Sequence, residues 1–133
     1  MTLRPGRIGI DVVPLSRVHG LIVDGDGAAL HRLLSAAELS VSRTPDGLDP
    51  SGIAGRLAAK EAVFKLFHAA GQPVPWLATE ILKSAGGWPE VRLSGRAARL
   101  AELAGIERID ISITHDEAYA IAVAVSAAHI AEL

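Results

Sequence analysis

The stretch "GIAGRLAAKEAVFKLF" at residues 52–67 has the composition of a core helix, yet it carries Lys60, Glu61 and Lys65 near its middle. At about 100° per residue, Glu61 and Lys65 lie some 40° apart on one stripe of the helix. Arg56 and Lys60 form a second polar stripe. A single solvated face would not divide in this way. We therefore expect one stripe to face water and the other to face a site.

The simplest explanation for Glu61 and Lys65 is an exposed (i, i+4) ion pair, which stabilises a helix by only a few tenths of a kcal/mol. Asp11 favours a site instead. It lies in a short β-branched strand predicted at residues 7–13, where a carboxylate is costly to bury unless it is paired, hydrogen-bonded or bound to a cation. Asp11 could also cap a helix or end the strand at its polar rim. Alternatively, Asp11 and Glu61 could share a Mg²⁺ that also binds substrate phosphates.

The remaining pattern predicts an α+β fold, in which a small antiparallel sheet packs against the long central helix and shorter helices. The chain has 133 residues, and neither a repeat nor a linker interrupts it, so we expect a single domain over residues 1–133. The further predicted features are a helical turn or two after Pro14, a helix at 28–34, a short helix capped by Ser35 and Glu38, a loop at 44–52, an end of the central helix near Gly71, two strands around Gly86 and Gly87, a helix at 95–105, and a hairpin of strands 109–114 and 119–126.

Composition excludes several classes of protein. The formal net charge is −2, so no basic field favours nucleic acid, and the absence of cysteine rules out disulfides and thiolate metal sites. No stretch has the length of a membrane span or the pattern of a secretion signal, so we expect a cytoplasmic protein without a membrane partner. With two Trp, one Tyr and two Phe the core is aliphatic and thin, and subunit association would help to cover it.

Other candidate motifs are weak when taken singly. His115 ends a strand beside two acidic residues, but the other histidines lack the spacing of metal ligands. Ser112 is not part of a nucleophile elbow, and Gly25 and Gly27 match neither a Walker A loop nor a dinucleotide fingerprint. The segment "GWPEV" at residues 87–91 is most simply a hairpin turn, although it could also form a rigid wall for a flat ligand ring.

Taken together and in order, five segments resemble the holo-acyl-carrier-protein synthase family of 4′-phosphopantetheinyl transferases. They extend from residue 8 to about residue 125, and "RLAAKEAVFK" and "SITH" are the most specific. The matching segments are "IGIDVV", "LLSAAEL", "AGRLAAKEAVFKLF", "GGWPEV" and "ISITHDEAYAIA".

The resemblance implies a small α+β fold that assembles as a homotrimer, with active sites at the subunit interfaces. It also implies transfer of phosphopantetheine from coenzyme A to a serine of an apo acyl carrier protein, with release of 3′,5′-ADP. Carried onto this chain, Asp11 and Glu61 would hold Mg²⁺, and Lys65 would neutralise charge that develops on the phosphates. Glu61 is also the candidate general base, and the sequence leaves open whether it is base, metal ligand or both.

The same resemblance implies roles for four further residues. Arg56 and His115, together with Lys65, would help to hold the nucleotide, and Pro89 would line its pocket. Arg17 would face the acidic carrier protein. Family members commonly have a more basic segment after the first strand than this chain has at residues 16–34. A carrier of polyketide or peptide biosynthesis is therefore an alternative to the carrier of fatty acid biosynthesis.

Two other functions remain open on the residues alone. One is a non-catalytic module that binds coenzyme A or a carrier protein within a biosynthetic assembly. Retention of Asp11, Glu61, Lys65 and His115 together argues against it, because a lapsed site has no reason to keep all four. The other is a Mg²⁺-dependent hydrolase of small nucleotides, which would consume coenzyme A without any protein acceptor.

Overall fold

A helix of 17 residues, Pro50–Leu66, lies at the centre of the protein, in a computed structural model that describes residues 6–127. Pro50 occupies the first turn, where its missing N–H costs nothing. Residues 53–60 are all buried, and eight consecutive residues go around a helix about twice. This half of the helix is therefore surrounded by protein, as a helix in the interior of a fold should be.

The central helix, α4, is one of five helices and seven strands among the described residues. In chain order these elements are β1 Ile8–Pro14, α1 Leu15–Val23, α2 Leu30–Leu33, α3 Ala36–Val41, β2 Arg43–Thr44, β3 Gly47–Leu48, α4 Pro50–Leu66, β4 Thr79–Lys83, β5 Pro89–Leu93, α5 Gly95–Leu103, β6 Arg108–His115 and β7 Tyr119–Ala127, with a 3₁₀ turn at Asp24–Gly27. The predicted α+β class is confirmed.

Three antiparallel strands in the order β1–β7–β6 form the sheet on which α4 packs. The inner face of β7 carries Ala120, Ala122 and Ala124, all fully buried. These small side chains let the helix approach the sheet closely. At Gly9 on β1 the approach is closest, because a Cβ atom there would lie 2.1 Å from the carbonyl oxygen of Ala62. Glycine is therefore required at this position by the α4 backbone.

The outer face of the same sheet is apolar and exposed. Register pairs Ile8 with Val125 and Val12 with Ile121, so the apolar side chains of β1 and β7 form one continuous surface. A contiguous apolar patch on a soluble protein commonly marks an interaction surface. We call it the outer sheet face, and its residues are Ile8, Ile10, Val12, Tyr119, Ile121 and Val125.

A second antiparallel pair, β4 and β5, packs against the opposite part of α4 through β4. Its turn contains Gly87 at a φ of +93°, as the predicted glycine turn requires. The predicted cap of α3 is also confirmed: Glu38 N–H donates to Ser35 Oγ, and Ser35 N–H donates to Glu38 Oε1 at 2.9 Å. The hairpin of β6 and β7 forms as predicted.

Two predictions about the flanks of α4 are wrong. The predicted loop at 44–52 contains the small hairpin of β2 and β3 and the first turn of the helix. The helix ends at Leu66 rather than near Gly71. Phe67 is its C-cap, keeps helical backbone angles and packs its buried ring edge-to-face against Phe64, and the backbone leaves the helical path at the next residue. His68 then adopts the left-handed conformation, with φ of +50°.

No helix within residues 6–127 combines the length and the hydropathy that crossing a membrane requires.

The contact between Gly9 and Ala62 predicts a large effect for Gly9→Ala. The added methyl would strike a backbone oxygen that cannot move aside, so we expect a loss of about 1–3 kcal/mol in the free energy of unfolding. Gly20→Ala on α1 is the matched control, since no atom lies within 4 Å of the added Cβ and alanine is the better helix former by about 1 kcal/mol. Urea unfolding measures both, and equal stability of the two variants would contradict this packing.

Candidate active site

Asp11 and Glu61 face each other where α4 crosses β1. Asp11 lies on the inner face of β1, opposite Ala122 of β7, and Glu61 lies on α4 next to Ala62. Both carboxyl groups are largely buried. Burial, followed by hydrogen-bonding proximity to Asp11 and the charge of Asp11, raises the pKa of Glu61 to about 7, although Arg17 and Lys65 oppose the shift. The fold therefore holds two mutually repelling carboxyl groups in contact.

Two cations border this pair. Lys65 Nζ lies 3.1 Å from Asp11 Oδ1 and donates to the Ile10 carbonyl oxygen at 2.7 Å. Arg17 Nη1, on α1, lies 3.9 Å from Glu61 Oε2. About half of the Lys65 side chain remains exposed, so the ammonium is accessible to a ligand. We call Asp11, Arg17, Glu61 and Lys65 the carboxylate cluster.

The carboxylate cluster has an unsatisfied oxygen. Asp11 Oδ2 is buried and accepts no hydrogen bond from residues 6–127, so it is available to a proton on Glu61 or to a cation. The described residues contain no group of three or more His, Cys, Asp or Glu side chains able to hold a metal ion. Two hard carboxylates nevertheless fit Mg²⁺, which keeps several waters and completes its coordination with phosphate oxygens.

A second group of candidate residues lines a cavity of about 600 Å³ beside α4. Arg56, Pro89 and His115, which the resemblance assigns to the nucleotide, all lie in its wall. This volume is in the range of small-molecule sites. The cavity also contains Lys83 of β4 and Arg92 of β5, so four of its side chains are basic or can become so. Such a lining suits an anionic ligand.

Sequence reasoning missed Lys83 and Arg92. The sequence contained a signal for them, because both residues lie in the two strands that flank the glycine turn, and Lys83 pairs with Pro89 in the register. Each of these strands therefore contributes one cation to the same cavity. Among residues 6–127, one acidic residue lies in the cavity wall, and it is Asp49, which precedes α4.

The Arg56 side chain is held by contacts to the protein rather than by solvent. Its Nε donates to the Ile81 carbonyl oxygen at 2.9 Å, and its Nη1 donates to Ser42 Oγ at 3.3 Å. Burial lowers the pKa of Arg56, while the charges of Glu38 and Asp49 oppose the shift. The guanidinium is thereby oriented at the cavity wall before any ligand arrives.

His115 connects the 600 Å³ cavity to the outer sheet face. It ends β6 and also lines a smaller cavity of about 280 Å³, together with Val12, Tyr119 and Ile121 of the outer sheet face. The following residue, Asp116, accepts hydrogen bonds from the Ala118 and Tyr119 N–H groups, and these bonds lower the pKa of Asp116. This turn therefore fixes the position of His115 at the end of β6.

The structure divides the predicted site residues into two groups. None of the four residues of the carboxylate cluster lines either of these two cavities. Arg56 and Glu61 are separated by about 140° around α4 at about 100° per residue, so they leave the helix on different sides. One side faces β1 and the other faces β4.

The expectation of a water-facing polar stripe on α4 is wrong. Lys60 has no exposed surface and forms an ion pair of 2.6 Å with Glu38, and Arg56 is buried as described above. The reason lies outside the helix, since α3 supplies Glu38 as the partner of Lys60 and β4 supplies a carbonyl oxygen to Arg56. Both polar stripes of α4 therefore engage other parts of the protein.

The raised pKa of Glu61 predicts a pH-dependent stability. A carboxyl group whose pKa rises from 4.5 to about 7 on folding binds its proton more tightly in the folded state. Its contribution is fully present below pH 4.5 and is lost as the pH rises through 7. We expect the melting temperature of the metal-free wild type to fall across this window, and that of Glu61→Gln to fall less. Parallel melting profiles of the two proteins would contradict the shift.

Comparisons with known proteins agree with this geometry. A family model of the 4′-phosphopantetheinyl transferase superfamily matches residues 7–124. The holo-[acyl-carrier-protein] synthase of Frankia casuarinae is 35% identical over 119 residues, which cover 90% of this chain and 94% of the relative. That of Desulforudis audaxviator is 38% identical over 120 residues, which cover 89% and 91%.

A solved structure shares the fold. Helicobacter pylori holo-[acyl-carrier-protein] synthase in complex with coenzyme A superposes with a TM-score of 0.77 at 31% identity, covering 91% of this chain and all of that one. The resemblance inferred from the sequence is thus confirmed. The chain belongs to the holo-acyl-carrier-protein synthase family and is a 4′-phosphopantetheinyl transferase.

Proposed function

We propose that this protein transfers the 4′-phosphopantetheine group of coenzyme A to a serine hydroxyl of an apo acyl carrier protein and releases 3′,5′-ADP. The observation that carries the proposal is the contact of Asp11 with Glu61 beside the Lys65 ammonium. Two carboxylates that can hold a divalent cation, together with an ammonium group, suit the cleavage of a phosphoanhydride. The coenzyme A bound to the Helicobacter pylori relative supports the same substrate here.

Asp11 and Glu61 would hold Mg²⁺, which supplies neutralisation of the pyrophosphate charge when bound. Lys65 adds a second positive charge that stabilises the developing charge on the phosphate oxygens. The serine oxygen forms a bond to the phosphorus that bears the pantetheine. The bond from that phosphorus to the bridging oxygen breaks, and 3′,5′-ADP leaves with the electron pair. Glu61 is the candidate acceptor of the serine proton, because its carboxyl group lies at this centre between Asp11 and Arg17.

The 600 Å³ cavity is proposed to bind the nucleotide of coenzyme A. Arg56 and His115 offer positive charge to its phosphates, and Pro89 gives the cavity a rigid apolar edge. Lys83 and Arg92 extend the basic lining along the hairpin. Orientation of these groups by the scaffold contributes to affinity, since less side-chain entropy is lost on binding.

Arg17 is proposed to face the carrier protein. It lies on α1, its side chain is 43% exposed, and its guanidinium reaches the edge of the carboxylate cluster. An acidic carrier that docks on α1 would therefore bring its serine close to Glu61. Carriers of fatty acid, polyketide and peptide biosynthesis would all present an acidic surface and an acceptor serine, so a panel of apo carriers is needed to distinguish them.

The active enzyme is proposed to be a homotrimer with active sites at the subunit interfaces. On one chain the carboxylate cluster and the nucleotide cavity lie on different sides of α4, as shown above. The outer sheet face is apolar and continuous, and His115 lies at its edge beside the cavity. Contacts through this face would bring the cavity of one subunit to the carboxylate cluster of its neighbour.

Transfer is tested by incubating the protein with coenzyme A, Mg²⁺ and a panel of apo carriers, and by reading the intact carrier mass. We expect a phosphopantetheine adduct on at least one carrier, lost with chelator. Removal of one charged group at the reacting centre should lower the rate about 10²–10³-fold in Glu61→Gln and Asp11→Asn. Glu102→Gln, an exposed charge change on α5, should have no effect.

Two other results would overturn the proposal. Coenzyme A bound without any adduct would indicate a non-catalytic binding module. Coenzyme A consumed in the absence of a carrier would indicate a hydrolase.

The interface is tested by Ile8→Lys. Ile8 is 72% exposed on the outer sheet face, so a buried lysine charge there would oppose association. Leu103→Lys is the matched control, because Leu103 is 79% exposed on α5, away from this face. By light scattering we expect a trimer for the wild type and the control, and a monomer with little transfer activity for Ile8→Lys. A monomeric wild type would refute the trimer.

A further inference from the structure

A fully buried ammonium lies in the middle of α4. Lys60 has no exposed surface, and its Nζ donates to the Leu33 carbonyl oxygen at 2.7 Å, to Glu38 Oε1 at 2.6 Å and to the Trp76 carbonyl oxygen at 2.7 Å. An ammonium has three donors, and here all three are used. The Lys60 ammonium does not bond to the carboxylate cluster, and Lys60 does not line the nucleotide cavity, so the proposed reaction leaves the side chain without a role.

Glu38 is as completely engaged as its partner. Its Oε1 accepts from Lys60 and from the Ser35 N–H at 2.9 Å, and its Oε2 accepts from the Ile81 N–H at 2.9 Å. A buried ion pair of this kind is commonly no more stabilising than apolar residues of the same volume. Stability by itself therefore does not account for the pair, and a positioning role becomes the more economical explanation.

The network reaches the nucleotide cavity through one residue of β4. Ile81 donates its N–H to Glu38 and accepts with its carbonyl oxygen from Arg56 Nε at 2.9 Å. A second path runs from Arg56 Nη1 to Ser42 Oγ, which donates to the Glu38 carbonyl oxygen at 2.7 Å. Arg56, Ile81 and Lys83 all belong to the cavity wall. The buried pair thus connects the cavity's guanidinium to the strand that faces it.

We propose that Glu38 and Lys60 are positioning residues that hold Arg56 and β4 in the geometry that binds the coenzyme A nucleotide. This inference rests on the proposed function. The Lys60 ammonium joins α4 to α3 and to the segment around Trp76, and we call this ion pair with its hydrogen bonds the clamp. Glu38 also accepts from the Ile81 N–H and so fixes the position of Ile81 relative to α4. When the clamp is removed, the Ile81 carbonyl oxygen is no longer held in place for Arg56. The basic side chains of the cavity wall then lose their fixed positions relative to one another.

The test compares steady-state kinetics of Glu38→Gln with those of the wild type, at a temperature well below both melting temperatures. We expect the KM for coenzyme A to rise about tenfold while kcat changes little, since the interactions lost would bind substrate and transition state alike. A merely structural role would lower the fraction of folded enzyme and hence the apparent kcat, and it would leave KM unchanged. The apparent affinity for Mg²⁺ should not change, because Asp11 and Glu61 lie on the other side of α4.

The double variant Glu38→Gln/Lys60→Met keeps the test decisive if the single variant fails to fold. It removes both charges with little change in volume, so it leaves no unpaired charge in the interior and does not restore the clamp. Its KM for coenzyme A should remain raised. The control is Glu80→Gln, which removes a neighbouring charge whose side chain accepts from Ser35 Oγ and forms no hydrogen bond with Lys60, Ile81 or Arg56 among the described residues.

The outcomes separate the two proposals. A raised KM in the Glu38 variants with a normal KM in Glu80→Gln supports the positioning role. An unchanged KM in the folded double variant overturns it and leaves the proposed function standing. A wild type that neither binds coenzyme A by calorimetry nor transfers its phosphopantetheine overturns the proposed function and this inference with it.

Discussion

The contact between the α4 backbone and β1 at Gly9 determines the rest of the architecture. Because Gly9 has no side chain, Ala62 can lie directly on the strand. Asp11 follows two residues later on the same face of β1, and Glu61 precedes Ala62 on the helix, so the close approach necessarily brings the two carboxyl groups together. The packing that forms the core and the geometry that forms the site are thus one constraint.

Holding these two carboxyl groups together is energetically unfavourable, and this favours the entry of a cation or a proton. Burial, and then contact with Asp11 and its charge, raise the pKa of Glu61 to about 7. One oxygen of the Asp11 carboxyl group is also buried without a hydrogen-bond partner among the described residues. Lys65 and Arg17 offset only part of the repulsion. A site under such strain gains most when a cation or a proton enters it, which is the property that a metal-assisted phosphoryl transfer needs.

On the other side of α4 the buried charges are fully paired and hydrogen-bonded. Lys60 and Glu38 satisfy every donor and acceptor they bring into the interior, and their network extends through Ile81 to Arg56. A fully connected network in a low-dielectric interior is rigid, because each missing bond would leave a buried charge unpaired. The helix therefore separates a poorly satisfied cluster, suited to chemistry, from a fully satisfied one, suited to holding a cavity wall.

Local patterns were sufficient for much of the fold. The central helix, the capping box of Ser35 and Glu38, and the hairpin of β6 and β7 depend on residues close in sequence. All three were predicted correctly, apart from the point at which the central helix ends. The resemblance to the transferase family was also correct. The roles assigned to Asp11, Glu61, Arg56 and His115 remain predictions that the geometry makes specific.

The sequence by itself determined the longer helices and strands, which family the chain belongs to and which side chains are candidates for the site. Only the tertiary structure decided which of the charged residues of α4 are buried, with what partners, and on which side of the helix. The ion pair of Lys60 with Glu38 and the gathering of Lys83 and Arg92 around Arg56 join residues far apart along the chain. Burial depends on such long-range contacts, and helical periodicity specifies only the direction in which a side chain leaves its own helix.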